Sequence, residues 1–136
     1  MFLLYTYRKN LDKHMSPLSS RSVIDAYARR FQQLKAELAQ IEYFSKGTLL
    51  TRMVKCGKPQ CACRTKPSKR HGPYHEWTYK LQGKTVNVRL SPEAAPIYQA
   101  AAQQYRKLKS ILNRLEKLSR QALDKLTKDA TKRNRK

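Results

Sequence analysis

The chain has 136 residues, enough for one domain, and sets 30 Lys and Arg against 9 Asp and Glu for a formal net charge of +21. With a mean hydropathy of −0.79 it has apolar residues for a modest core and no surplus for a membrane span. Such self-repulsion is relieved by a polyanion, so nucleic acid is the first partner class and an anionic membrane surface the second.

The opening stretch Met1–Tyr7 is too short to span a bilayer. Arg8 and Lys9 follow it, the wrong order for a signal peptide. Residues 1–18 are expected to form a flexible extension, with translation starting at either Met1 or Met15. A helix is expected over 20–45. Ile24, Tyr27, Phe31, Leu34, Leu38 and Ile41 step by three and four residues, with charged and amide side chains between them. Ser20 or Ser22 would cap its start and Gly47 would stop it.

Residues 46–90 lose the helical stripe. Thr48–Val54 is β-prone, and Glu76–Leu81 and Thr85–Leu90 alternate across a Gln82-Gly83 break, the pattern of a β-hairpin. Three antiparallel strands follow, with Trp77 as the anchor a small sheet needs. Ser91-Pro92-Glu93 then reads as a helix start, with a hydroxyl cap, proline at the first helical position and an acid in the first turn. The helix is expected over 92–128 and a disordered basic tail over 129–136. Its apolar seam is longer than that of the first helix, which favours a homodimer covering the excess. The fold class is α+β: two long amphipathic, coiled-coil-like helices flanking a small β-module, all within one domain over 19–128.

Between the first two strands lies Cys56-Gly-Lys-Pro-Gln-Cys61-Ala-Cys63, followed by His71-Gly-Pro-Tyr-His75. An odd number of cysteines packed this closely argues against disulfides and for shared metal ligation in a reducing, cytoplasmic compartment. Zinc takes thiolates and imidazoles in a tetrahedron, so Cys56, Cys61, Cys63 and His71 are the expected ligands, with His75 as the substitute fourth. Gly57-Pro59 and Gly72-Pro73 would supply the turns. The loop holds almost nothing apolar, and a structural Zn2+ would supply the missing folding energy. Three thiolates are one short of an ordinary iron–sulfur site.

Cations crowd the same region, opposed by Glu76 alone. Arg52, Lys55, Lys58, Arg64, Lys66, Lys69, Arg70, Lys80, Lys84 and Arg89, with Tyr74 and Asn87, are the candidate nucleic-acid contacts. The basic side chains release counterions from phosphates, and those on the hairpin reach base edges if they face outward together. No arrangement of acids beside a nucleophile marks an enzyme. A nuclease built on His71, His75 and Glu76 would need an open metal position, which three thiolates argue against.

The run CGKPQCAC, then HGPY, an aromatic strand, GKTVNVRLSPE and a Tyr/Leu-rich helix resembles a small prokaryotic domain-of-unknown-function family, over about residues 45–120. Members share a C-G-K-x-x-C-x-C…H-G-P-Y core and are often encoded beside transposases and other mobile elements. The resemblance implies that Cys56, Cys61, Cys63 and His71 act as one constellation in a nucleoid-associated, DNA-facing accessory protein. Duplex DNA is favoured over RNA as partner. The alternatives are an RNA-binding protein and a coiled-coil adaptor that recruits a transposase or recombinase.

Overall fold

The computed structural model of the chain describes residues 18–135. The expected extension and the choice between Met1 and Met15 lie outside them, apart from Leu18. In chain order the elements are helix α1 (Leu18–Ala39), strands β1 (Thr48–Val54), β2 (His71–Leu81) and β3 (Lys84–Leu90), and helix α2 (Ala94–Arg133). Two short 3-10 turns, Ala62–Arg64 and Pro67–Lys69, lie between β1 and β2. This is the α+β class with a three-stranded antiparallel sheet in the order β1-β2-β3. No helix among the described residues is long and apolar enough to cross a membrane.

The described residues fall into two compact units: residues 41–110 form one, and residues 18–40 together with 111 onward form the other. The continuous helix α2 therefore divides its seam between two partners. Among the described residues of the helical unit, Leu34, Ile111 and Leu118 are buried, Ile111 with 1 % of its surface exposed. The Arg114 guanidinium donates to both Glu37 carboxylate oxygens, at 2.8 and 3.2 Å, which fixes the last turn of α1 beside the start of this half of α2. The first part of α2 packs on the sheet through Tyr98, while Leu112 and Leu123 further along remain exposed.

α1 begins at Leu18, so Ser20 and Ser22 lie inside it rather than at its cap. It also ends at Ala39, short of the expected 45, because Ile41–Ser45 is claimed by tertiary bonds. The Glu42 amide donates to the Gln104 side-chain oxygen, the Ser45 amide to the Ala101 carbonyl, and Phe44 leans on Tyr105. These bonds compete with continuation of the helix and win. At the other end, α2 runs on to Arg133, into the stretch expected as a tail, carried by the bonds of Lys125 to Asp129 and of Lys128 to Asp124.

The core of the sheet unit is Trp77, 2 % exposed, with its ring 5.1 Å from that of Tyr98. Ala95 and Ala102, both buried, flank Tyr98 at helical spacing and let α2 approach the sheet closely. The hairpin turn has Gln82 at φ 48° and Gly83 at φ 78°. Both central residues are left-handed, the type I′ geometry whose twist matches the flanking strands. Helix α2 starts at Ala94, two residues later than expected, so Pro92 and Glu93 precede it and only the Ser91 cap is as expected. Ser91 Oγ accepts from the Ala94 amide at 3.2 Å, and the Ser91 carbonyl accepts from Ala95. Glu93, hydrogen-bonded by its own backbone amide and by Ser91, has a carboxyl held below the usual range.

Candidate metal centre and sheet interface

The connection from β1 to β2 is a string of tight local turns. The Cys61 amide donates to the Lys58 carbonyl, Arg64 to Cys61, Lys66 to Ala62 at 2.9 Å, and Arg70 to Pro67. The first 3-10 turn directs Cys63 inward, where it is fully buried, while Cys56 and Cys61 are half-buried. His71 is the first residue of β2 and pairs with Val54 at the end of β1. The ligand atoms of Cys56, Cys61, Cys63 and His71 all lie within 4.8 Å of one another. Cys61 Sγ is 3.3 Å from His71 Nε2, and Cys63 Sγ is 3.5 Å from Cys56 Sγ. Around one tetrahedral ion with metal–sulfur bonds of about 2.3 Å, sulfur atoms sit roughly 3.8 Å apart. The four side chains thus stand where one metal ion would be held, and all three cysteines are free.

The electrostatics favour thiolate at the rim. The Cys63 amide, the His71 imidazole and the other two sulfurs hydrogen-bond Cys61, and together they bring its pKa down to about 6. Cys63 accepts from the Cys56 amide at 3.3 Å, which lowers its pKa. Burial and the neighbouring sulfurs outweigh that bond and leave the thiol raised.

His75, weighed as a substitute ligand, is elsewhere: its Nδ1 is 3.1 Å from Thr51 Oγ1 on the paired strand. Nor do Gly72 and Pro73 turn the chain back toward the site. They belong to β2, with Gly72 at φ 134° where the β1–β2 register shifts between Arg52 and Val54. A bulge of this kind re-aims a strand without ending it.

Register decides which candidate contacts face outward together. Partners directly opposite on antiparallel strands share a face. Arg52 lies opposite Tyr74, Leu50 opposite Glu76 and Arg89, Thr48 opposite Thr78 and Asn87, and Lys80 opposite Thr85. These rows form one face. Leu49, Trp77 and Val88, with His75, Leu90, Tyr79 and Val86, form the other, toward Tyr98. The polar face is tied together across the strands. Arg52 pairs with Glu76, the Arg89 guanidinium lies 3.9 Å above the Tyr74 ring, Thr78 donates to Asn87 Oδ1 at 2.8 Å, and Lys80 donates to Thr85 at 2.6 Å. Arg52, Tyr74, Lys80, Asn87 and Arg89 are thus brought together and exposed. Lys84 falls on the other face, opposite Leu81. Lys55, Lys58, Arg64, Lys66, Lys69 and Arg70 are exposed in the connection that carries the cysteines. Sequence reasoning passed over Thr78 and Thr85, which orient their cross-strand partners. Period-two counting from Lys80 and Tyr74 would have placed Thr78 on their face.

A family model described as a domain of unknown function, DUF6788, matches residues 24–100, more than half of the chain. The chain belongs to this family. The match takes in most of α1, the sheet, the Cys/His cluster and the start of α2, so it begins earlier than the stretch 45–120 that the motif alone suggested. No curated protein matches the chain, and no solved structure does.

Proposed function

We propose that the protein is a non-catalytic nucleic-acid-binding accessory protein, with duplex DNA as its ligand, and that a structural zinc ion on Cys56, Cys61, Cys63 and His71 orders its β-unit. Three sulfurs and one imidazole are a closed donor set for zinc, suited to folding rather than to activating water. The observation that carries the binding reading is the polar sheet face. Arg52, Lys80, Asn87 and Arg89 project from it together, its one acid is paired with Arg52, and the adjoining loop holds six further exposed cations. A β-ribbon of this kind fits the major groove, while the loop cations neutralise flanking phosphates. The role beside a mobile-element enzyme rests on the family resemblance of the CGKPQCAC…HGPY core.

Competition binding of nuclease-treated protein to duplex DNA, single-stranded DNA and RNA across a salt series tests this. Duplex preference with a steep salt slope, lost when Cys61 and Cys63 are changed to Ser, is expected. Preference for RNA would move the protein to the RNA-binding alternative, and indifference to both nucleic-acid type and the cysteines would sink the reading.

One observation favours a second, compatible reading as a coiled-coil adaptor or homodimer. Leu112 and Leu123 on α2 are 49 % and 55 % exposed, and Val23 on α1 is also exposed. A charged substitution at Leu112 should abolish recruitment of a transposase or a second copy, while leaving DNA binding intact.

A further inference from the structure

The polar face holds its side chains in fixed poses, and two of those poses match particular bases. The Arg89 guanidinium carbon lies 3.9 Å over the centroid of the Tyr74 ring, a cation–π contact that holds the fork above the sheet. Glu76 stands directly across from Arg89, but its carboxylate is engaged by Arg52 and does not draw the Arg89 fork down onto the sheet. Asn87, two residues earlier on β3 and on the same face, has its amide plane set by Thr78, whose hydroxyl occupies one lone pair of Oδ1. Its NH2 donors point away from that bond, and the second lone pair still accepts.

We infer that this face reads DNA sequence directly, Arg89 taking a guanine and Asn87 an adenine in the major groove; the inference rests on the duplex-binding reading above. An arginine fork matches guanine O6 and N7, and a carboxamide matches adenine N6 and N7. Same-face neighbours on a strand are about 6.8 Å apart, twice a rise of roughly 3.4 Å, and that is two base-pair steps of B-DNA. With β3 lying along the groove floor, the guanine and the adenine fall two positions apart in the site. Lys80, bonded to Thr85 one row further on, then takes a phosphate or the next base edge. Lys84, on the opposite face, contributes charge and no reading.

The experiment is selection from a pool of random duplexes with zinc-loaded full-length protein, followed by titration of the recovered site and single-base variants. Arg89→Lys, Asn87→Ala and Lys84→Ala are carried in parallel, their folding checked by the emission of the buried Trp77. The wild type should recover a site with guanine and adenine two positions apart, and replacing either base should cost roughly ten- to a hundred-fold in affinity. Arg89→Lys keeps the charge but loses the planar fork, and should weaken the guanine preference alone. Asn87→Ala should erase the adenine preference alone, and Lys84→Ala neither. Duplex binding without a recovered site, or with one that both variants leave unchanged, overturns the inference while the duplex reading stands. Failure to bind duplex at all overturns both.

Discussion

Gly47 offers the sharpest test of the packing described here, because nothing about its backbone demands glycine and the space beside it does. A Cβ there would lie 2.3 Å from Trp77 Cζ2, 2.5 Å from Cε2 and 2.9 Å from the Thr78 carbonyl oxygen. Non-bonded carbons rest at about 3.5–4.0 Å, so the indole would have to retreat by more than about 1 Å. It has nowhere to go: Trp77 is 2 % exposed, and Tyr98 packs on it. Overpacking of this kind costs about 1–3 kcal/mol, and the three simultaneous clashes place Gly47→Ala at the upper end. At about 4–8 °C per kcal/mol for a unit of this size, its melting temperature should fall by roughly 10–20 °C. The assay is direct, because Trp77 is the only tryptophan and its emission reports the unfolding of this unit. Gly57→Ala is the matched control. Its Cβ would meet nothing within 4 Å, so the change should stay within about 0.5 kcal/mol of wild type. Equal melting temperatures for the two variants would refute the placement of Gly47 against the indole.

Three further outcomes follow from the same geometry. In metal-loaded protein the half-buried Cys56 and Cys61 should resist a thiol reagent and react after chelation, because ligation engages the thiolate that would attack, whereas Cys63, which has no exposed surface, should react last. Ser91→Ala should cost up to about 1 kcal/mol in chemical denaturation by removing the hydroxyl acceptor of the Ala94 amide, which keeps the Ser91 carbonyl, and Ser91→Gly only a few tenths. The Glu93 carboxyl is depressed in the fold, so its contribution is present above the ordinary carboxylate pKa and fades as pH falls through the depressed value. Part of that acid-side dependence should vanish in Ser91→Ala. Glu37→Gln should lower the stability of the helical unit by less than about 1 kcal/mol, and the difference should shrink in high salt, because the Arg114–Glu37 pair is solvent-exposed.

The elements that local chemistry specifies were legible in the sequence. The hairpin declared itself by alternation on either side of Gln82-Gly83. The start of α2 declared itself by Ser91-Pro92-Glu93, and the four-ligand cluster by soft donors crowded into a loop with nothing to bury. What escaped was set by tertiary contact. Gly47 looked like a helix stop, but α1 ends at Ala39 and Gly47 makes room for an indole thirty residues away in sequence. The His71–His75 stretch looked like a turn because Gly72-Pro73 usually is one. It is strand, because pairing with β1 tolerates a bulge there. The outward register of Arg52, Asn87 and Arg89 depended on which residues of β1 and β3 face β2, and no single strand carries that information.

The position of the Cys/His cluster in the sheet links the proposed metal to the proposed reading face. Cys56 follows β1 by two residues and His71 opens β2, so an ion held by both closes the far end of the β1–β2 ladder, where Val54 meets His71. Arg52 and Tyr74 form the next row inward, and Tyr74 is the platform on which Arg89 rests. Without the ion, the residues between these strands form a long, charged, apolar-poor loop whose ends must be brought together against closure entropy. The ladder should then fray from the His71 end, and the first side chain released is the one that orients Arg89. Zinc removal should therefore cost sequence discrimination before it costs the fold of the sheet, since Trp77, Tyr98 and the Gln82-Gly83 turn hold the other end without it. Titrating chelator while following discrimination at the guanine position and Trp77 emission should show the first signal falling well before the second. Loss of both together would mean that the metal supports the whole unit and not one end of it.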